Sequence, residues 1–392
     1  MKILSVNCGS SSLKFQAYEM PEEKVLIQGT FERIGIDGGF YTLKLNGEKI
    51  KKEVDLPNHE VAVQILVQEL LDRHIVESLD EIKGIGHRTV HGGDKFNSSV
   101  LIDEEVMEKL QELIPLAPLH NPAGITGIRA FEKMIPNAKA VAVFDTAFHQ
   151  TMPKENYLYS VPMEWYEKYG VRKYGFHGTS HKYVSQRMNE ILGRTDTKII
   201  TCHIGSGGSV SAVLNGKCID TSMGFTPNAG IMMGTRSGDI DYSMIPYVME
   251  KSGMTLQEVD NILNKQSGLY GISKGKSDAR DIEAGMEAGD ELCLLAQKMY
   301  VKRVVEYIAK YYVLLDGCDA IVFTAGLGEN SSLTRKQIMD SLHALGVKVD
   351  EEANDMRGEE KMVSAPDSSI PCYVIPTDEE VMIARDTYEL IK

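Results

Sequence analysis

Ile199 to Val213, IITCHIGSGGSVSAV, sets two β-branched runs around a bend of small and polar residues, the pattern of a strand, a tight turn and a second strand. Gly205, Gly207 and Gly208 leave that bend without Cβ atoms, so backbone N–H groups there can approach an anion. An ordinary hairpin is the alternative. The chain opens on the same pattern, however: KILSVNCGSSSLKFQAY, Lys2 to Tyr18, carries Asn7 and Ser10 to Ser12 in its bend. Residues 25 to 54 alternate apolar and polar positions with Gly-Gly and Asn-Gly breaks, which predicts further antiparallel strands beside the first hairpin. One such turn in each half predicts duplicated phosphate clamps facing one cleft.

Helical periodicity fills much of the rest. Asn58 can cap a helix whose buried stripe is Val61, Ile65, Leu66, Leu70 and Val76, and Asp103 can cap an acidic helix through Ile114. YGFHGTSHKYVSQRMNEIL predicts a helix capped by Thr179 or Ser180, with Val184, Met188, Ile191 and Leu192 inward and His177 just before its positive end. A long amphipathic helix spans about Glu291 to Leu315. It leads into a strand, the turn GLGEN and another helix, which satisfies much of a dinucleotide fingerprint except that Ser331 stands where the last Gly belongs. At the end of the sequence, a strand precedes a closing helix for which Thr377 and Glu380 form a capping box, leaving Glu379 as the freer carboxylate.

With 392 residues and 43% hydrophobic content, the chain can bury more than one core. The six cysteines are scattered singly, without disulfide or zinc spacing, as expected of reduced thiols in a cytosolic protein. No basic leader or bilayer-length apolar run is present, so neither export nor membrane insertion is expected. A net charge of −14 without a Lys/Arg run argues against nucleic acid or an anionic membrane as partner. Any anionic ligand must then be held by local cations.

Those cations sit at suggestive places. Arg88 and His91 run from a short strand into Gly92-Gly93; as a strand-end side chain reaching into a cleft, Arg88 is expected to contribute little to the core. His120 lies between two prolines, where it is either a site residue or a hydrogen-bonded loop histidine. Asp145 ends an apolar strand with His149 four residues on, a position for a Mg²⁺ ligand or base, or for a turn cap. Arg236 is the single arginine of a long Gly-rich loop over residues 219 to 242. His177 and His181 have zinc-like spacing but no nearby third ligand, and GKS in KGKSDARDIEAG lacks the Gly placement and preceding strand of a phosphate-binding loop.

SVNCGSSSLKF, GHRTVHGG, APLHNPAG, FDTAFH, YGFHGTSH, MMGTRSGDID, FTAGLGEN and IPTDEEVMIARDT follow one another along essentially the whole chain, and in that order they resemble the acetokinase family. The resemblance implies a duplicated α/β fold of the actin, hexokinase and Hsp70 kind, ribonuclease H-like, with two domains around a central cleft. Residues 1-150 plus 377-392 would handle the acyl substrate and residues 151-376 the nucleotide, with the Tyr- and Trp-bearing segment Pro153 to Lys173 as the crossing between them. It implies Mg²⁺-dependent (or Mn²⁺-dependent), in-line phosphoryl transfer from ATP to acetate, reversible with ADP, in a cytoplasmic homodimer. Propionate or another short-chain carboxylate, or a different phosphoryl donor, is the alternative.

By the same resemblance Arg88 and Arg236 hold the carboxylate and the phosphoryl group, His177 its equatorial oxygens, and His120 joins the catalytic set. Asn7, Asp145 and Glu379 would organise the metal, and Val90, Leu119, Phe176 and Pro227 would form the acyl pocket. Lys14, Ser10, Ser12, His203, Gly205, Ser206 and Gly207 would contact nucleotide phosphates; Asp278, Ala279, Arg280, Gly326, Gly328, Glu329 and Asn330 would line the adenosine pocket. Three stretches depart from the family pattern. Ser206 stands where Asn is expected, TPNAG lacks a Leu-Glu pair, and KGKSDARDIE is unusual before Asp278. A nicotinamide dehydrogenase using GLGENS would leave the twin hairpins unexplained, and a non-catalytic nucleotide switch would need no carboxylate pocket.

Overall fold

The computed structural model describes residues 1–118 and 120–392, so the predicted acyl contact Leu119 lies outside the described residues. The chain divides into two units, one of Met1–Phe148 with Asp378–Lys392 and one of His149–Thr377. The Tyr- and Trp-bearing segment therefore belongs wholly to the second unit, as two short helices, Lys154–Tyr157 and Met163–Tyr169.

In the first unit, strands β1 (Lys2–Cys8), β2 (Ser12–Glu19), β3 (Lys24–Glu32), β4 (Phe40–Leu45) and β5 (Glu48–Glu53) are followed by β6 (Ile82–Thr89), β7 (Val100–Leu101) and β8 (Lys139–Phe144). Their order is β5-β4-β3-β2-β1-β6-β8-β7. β1, β6 and β8 run parallel at the centre, and β1 to β5 pair antiparallel outward. The second unit repeats this plan with β9 (Lys198–Ile204), β10 (Gly208–Leu214), β11 (Lys217–Thr221), β12 (Ala320–Thr324), β13 (Lys361–Met362) and β14 (Cys372–Val374), ordered β11-β10-β9-β12-β14-β13. β9, β12 and β14 are parallel, and β9, β10 and β11 form the antiparallel meander. Both sheets thus share one core order, three meander strands and then two parallel ones. The duplicated fold expected from the two hairpins is realised.

The pattern of each strand follows its place. Central β12, AIVFT, is buried throughout, as a parallel strand covered on both faces must be, whereas edge strand β5, EKIKKE, is charged and exposed, which blocks pairing with another chain. The closing helix Glu379–Ile391 lies on β6, where glycines replace side chains: a Cβ at Gly86 would stand 2.3 Å from Thr387 Oγ1 and 2.4 Å from Ile383 Cγ2. That close approach seats the helix N-terminus, with its acidic residues, beside the ends of the central strands.

Several local expectations change. Asn58 caps His59–Asp72 through Val61 N–H at 3.0 Å, but the buried face is Ala62, Val63, Leu66, Val67 and Leu70, with Val61 and Ile65 at its margin. Leu66, Leu70 and Val76 are thus buried as expected, and His59, the first helical residue, also turns inward to meet Gly9 O at 2.8 Å. The acidic helix capped by Asp103 spans Glu104–Glu112, and a short 3₁₀ turn, Ile114–Leu116, follows it. Asn121–Met134 forms a helix that its Pro and two Gly obscure in sequence. Pro122 falls in the first turn, where its missing N–H costs nothing, and a Cβ at Gly127 would lie 2.4 Å from Cys8 Sγ. All six cysteines are free thiols, and no helix among the described residues is long and apolar enough to cross a membrane.

Candidate active site

In the first unit the chemistry gathers at the C-terminal ends of β1, β6 and β8, the usual ligand side of a parallel sheet. Arg88 stands opposite Val143 in the β6/β8 register, and Asp145 N donates to Thr89 O at 3.0 Å, so the two side chains meet directly. Arg88 Nε and Nη2 donate to Asp145 Oδ1 and Oδ2 at 2.9 and 2.6 Å, a bidentate pair. Asp145 raises the arginine's pKa further, and only about a quarter of Arg88 is exposed. The expectation of an open cleft arginine is corrected: Arg88 is the counter-ion of a buried carboxylate.

Around this pair lies a cavity of about 510 Å³ lined by Asn7, Ser12, Lys14, Arg88, Val90 and His120, with Glu32 and Asn121. Lys14 and Ser12, expected on nucleotide phosphates, therefore share a cavity with the arginine expected on the carboxylate; Ser10 is exposed on the turn beside it. His120 is the N-terminal flanking residue of the helix Asn121–Met134. His91, expected to run with Arg88 toward a cleft, is wholly buried instead, its Nδ1 accepting from Gly93 N at 3.0 Å.

At the closing helix the cap is Asp378, whose carboxylate accepts from Val381 N at 2.9 Å. Thr377 bonds within the second unit, to Ser180 Oγ at 2.8 Å, and Glu380 pairs with Lys14, so the Thr377–Glu380 capping box does not form. Glu379 is half-buried, and burial pushes its carboxyl up to about 7; Arg88 opposes that rise, and the neighbouring acids Asp145 and Glu380 add to it.

In the second unit the hairpin β9/β10 closes through Gly205 N to Gly207 O at 3.0 Å, and Gly234 N donates to Ser206 O at 3.0 Å, pinning the turn to the Gly-rich loop. A Cβ at Gly207 would sit 3.6 Å from Arg236 Nη1 and 3.7 Å from His177 Nε2, so guanidinium, imidazole and bare backbone face one spot. Arg236 is half-buried; Nη1 donates to Pro227 O at 2.9 Å, and no carboxylate among the described residues pairs with it. Burial accordingly lowers its pKa.

The helix starting at Gly178 is not capped by Thr179 or Ser180, which are buried in its first turn. The flanking residue is His177 itself, at φ 57° and ψ 24°, a left-handed conformation uncommon outside Gly. Its ring stacks on His203 at 4.0 Å, and His203 Nδ1 contacts Ser180 Oγ at 2.8 Å. His181 is fully buried between Thr201 and Ser209, and no metal-holding group of three His, Cys, Asp or Glu side chains exists among the described residues. Phe176 is buried, and its carbonyl meets His149 Nε2 at 2.8 Å.

From the same turn a cavity of about 400 Å³ opens, lined by Gly205, Ser206, Asp278, Ala279, Arg280, Gly326 and Asn330. Asp278 caps the helix Ala279–Glu287 and pairs with Arg280. Ser277, Glu283 and Arg357 also line this cavity and escaped the sequence reading, and Ser331, which the sequence marked only as a departure from the dinucleotide fingerprint, lines it too; Glu283 carried no motif, but it follows Arg280 by three residues on one helix face. Glu329 does not line it. Its Oε1 accepts from Ala325 N at 2.8 Å and Thr377 N at 3.1 Å, which holds Ala325 at φ 64°, while Gly328 packs inward against Ile204 and Phe323.

Duplicated β-meander sheets, a Gly-rich turn flanked by an arginine that no carboxylate among the described residues pairs with, and a second cavity lined by Arg88 fit a phosphotransferase of the actin/hexokinase/Hsp70-like fold. The acetokinase family profile matches residues 2–385. The acetate kinase of Bacillus cytotoxicus is 55% identical over 391 residues, 99% of this chain and 98% of that one. Among solved structures, the acetate kinase of Porphyromonas gingivalis aligns with TM-score 0.95 at 46% identity, and a propionate kinase from Francisella tularensis with TM-score 0.94 at 42%, each over 100% of both chains. The chain belongs to the acetokinase family. Its reaction is ATP-dependent phosphorylation of acetate, a phosphotransfer with a carboxyl group as acceptor.

Proposed function

We propose that the first unit holds acetate at Arg88 and Val90, and that the second holds ATP, with its phosphates on the Gly205–Gly208 turn and its nucleoside in the cavity of Asp278, Arg280, Gly326 and Asn330. The observation that carries this reading is Arg236, a half-buried cation with no carboxylate partner among the described residues, beside a turn stripped of side chains. An uncompensated buried charge is costly unless an anion arrives to meet it. An acetate oxygen attacks the γ-phosphorus of ATP in line, the bond to the departing ADP oxygen breaks, and acetyl phosphate forms. A carboxylate is already a nucleophile, so the protein's part is positioning and charge neutralisation. Arg236 and His177 offer donors to the oxygens of the group in transfer.

The donor set also fits Mg²⁺. Asn7, Asp145 and Glu379 supply only oxygen, which suits a hard cation, and the raised pKa of Glu379 beside two other acids marks a place where added positive charge is welcome. Both Asp145 oxygens are engaged by Arg88, and no three-residue cage exists among the described residues, which fits an ion held largely through phosphate oxygens and water. Bound there, Mg²⁺ would neutralise phosphate charge.

A homodimer is supported by the helix Met244–Ser252, which buries no residue: Met244 and Tyr247 on it are 43% and 61% exposed, and Tyr242 and Leu256 just outside its two ends are 78% and 63% exposed, a cluster of apolar side chains of the kind that marks an interaction surface. Tyr247→Glu should shift the light-scattering mass toward one chain; an unchanged dimer mass would place the interface elsewhere. Six free thiols fit a cytoplasmic setting. Hydroxamate formation from ATP, Mg²⁺ and hydroxylamine, with acetate against propionate, tests the central reading. No product with either acid would overturn it, and a preference for propionate would shift the acceptor.

A further inference from the structure

Helix Gly178–Leu192 and its flanking residue put His177 and His181 one turn apart on a single face. That face meets the strand pair β9/β10, on which Ser209 lies opposite His203 and Thr201 lies two residues before His203, hence on the same side of the sheet. The result is an unbroken chain: Thr201 Oγ1 to His181 Nδ1 at 2.7 Å, His181 Nε2 to Ser209 Oγ at 2.7 Å, and Ser209 Oγ to His177 Nδ1 at 2.9 Å. Thr201, His181 and Ser209 are each fully buried.

Proton counting gives the chain a direction. A serine hydroxyl between two imidazoles has one proton, so it donates to one ring and accepts from the other. Among the described residues Thr201 Oγ1 meets no acceptor other than His181 Nδ1, and a buried hydroxyl proton left unpaired is costly. Thr201 therefore donates to His181. Burial holds the His181 pKa well below its ordinary value, so the ring is neutral and carries its single proton on Nε2, which it gives to Ser209. The Ser209 proton is then left for His177 Nδ1, and the neutral His177 ring carries its own proton on Nε2, the nitrogen that faces Gly207 and Arg236.

We infer that Ser209 is a positioning residue for His177: with His181 and Thr201 it forms a one-way hydrogen-bond chain that makes the neutral His177 ring present Nε2–H to the phosphoryl oxygens. A neutral donor beside Arg236 avoids two adjacent cations and costs no proton uptake. This inference rests on the reading of His177 as a contact of the transferring phosphoryl group.

Nitrogen-15 histidine spectra of the wild-type protein at about pH 8, where imidazoles are largely neutral, test the chain directly, with His177→Gln identifying the His177 signals. The expected ring has a bare Nδ1 and a protonated Nε2. Ser209→Ala should mix the two tautomers and lower kcat by about tenfold, with KM for ATP within about twofold, the loss of one orienting hydrogen bond. Thr201→Val, which does not touch His177, should do the same more weakly. A His177 ring protonated on Nδ1 overturns the inference, as does Ser209→Ala keeping both the wild-type tautomer and kcat. If His177→Gln itself leaves kcat unchanged, the role given to His177 fails, while the spectrum still decides the chain.

Discussion

Removing Arg88 should damage stability as well as turnover, and the size of the first effect follows from the geometry. The Asp145 side chain is 4% exposed and takes two hydrogen bonds from a guanidinium that is 23% exposed. Arg88→Ala leaves that carboxylate without a cation and with Glu379 and Glu380 facing the same space. Breaking a buried pair from one side costs about 3–5 kcal/mol, because the remaining charge can be neither solvated nor paired. The partial exposure of Arg88 favours the lower end. For a unit of this size each kcal/mol moves the melting temperature roughly 2–4 °C, so a fall of roughly 6–12 °C is expected at about 3 kcal/mol. Turnover in the hydroxamate assay should fall further, by about a hundredfold or more, as for loss of a transition-state charge contact. Scanning fluorimetry on Arg88→Ala and on Arg88→Ala/Asp145→Asn separates the two effects: the double variant should recover more than half of the lost melting temperature and none of the activity. If Arg88→Ala melts within about a degree of wild type, or the double variant melts no higher than the single, the reasoning about the buried pair is wrong.

Gly86→Ala should lower the melting temperature by the equivalent of about 1–3 kcal/mol, since its Cβ would collide with Thr387 and Ile383; adding Thr387→Ala should recover part of the loss if the clash is the cause. His87 is buried against the Phe131 ring, its Nε2 has no hydrogen-bond partner among the described residues, and burial lowers its pKa to about 3. A depressed histidine pKa contributes stability that is full above the unfolded value near 6.5 and is lost as pH falls from there toward about 3. His87→Leu should therefore flatten the melting-temperature profile below pH 6.5 without loss at neutral pH, and an unchanged acid limb would remove His87 from the cause. Ser206 is exposed on the Gly205–Gly208 turn with its carbonyl already taken by Gly234 N; Ser206→Asn adds a longer donor and should lower KM for ATP or raise kcat modestly, one hydrogen bond to a charged group being worth roughly 1.5–3 kcal/mol at most. A wild-type preference for GTP or pyrophosphate over ATP would show instead that the altered turn serves another donor.

What the sequence determined by itself is what short-range physics encodes. Both hairpins were legible because strand alternation and glycine placement act within a dozen residues, and their repetition announced a duplicated sheet before any contact was known. The caps at Asn58 and Asp103 were legible for the same reason, each needing only a side chain and an N–H three residues on. Where two neighbouring residues could both cap, packing chose: Thr377 was drawn to Ser180, and Asp378 capped the closing helix instead. The Pro- and Gly-bearing helix Asn121–Met134 was hidden because its glycine answers a neighbour over a hundred residues away, Cys8. Single residues such as Arg88, Asp145, His177 and Arg236 could be marked as candidates from their positions at strand ends, helix starts and loops. That Arg88 is clamped by Asp145, 57 residues on, and that His177 ends a chain of hydroxyls and imidazoles running back to Thr201, was decided only by tertiary structure. Sequence spacing carries no distance between strands that pair across a sheet, and the charge and tautomer of a buried group depend on what the fold brings within 3 Å of it.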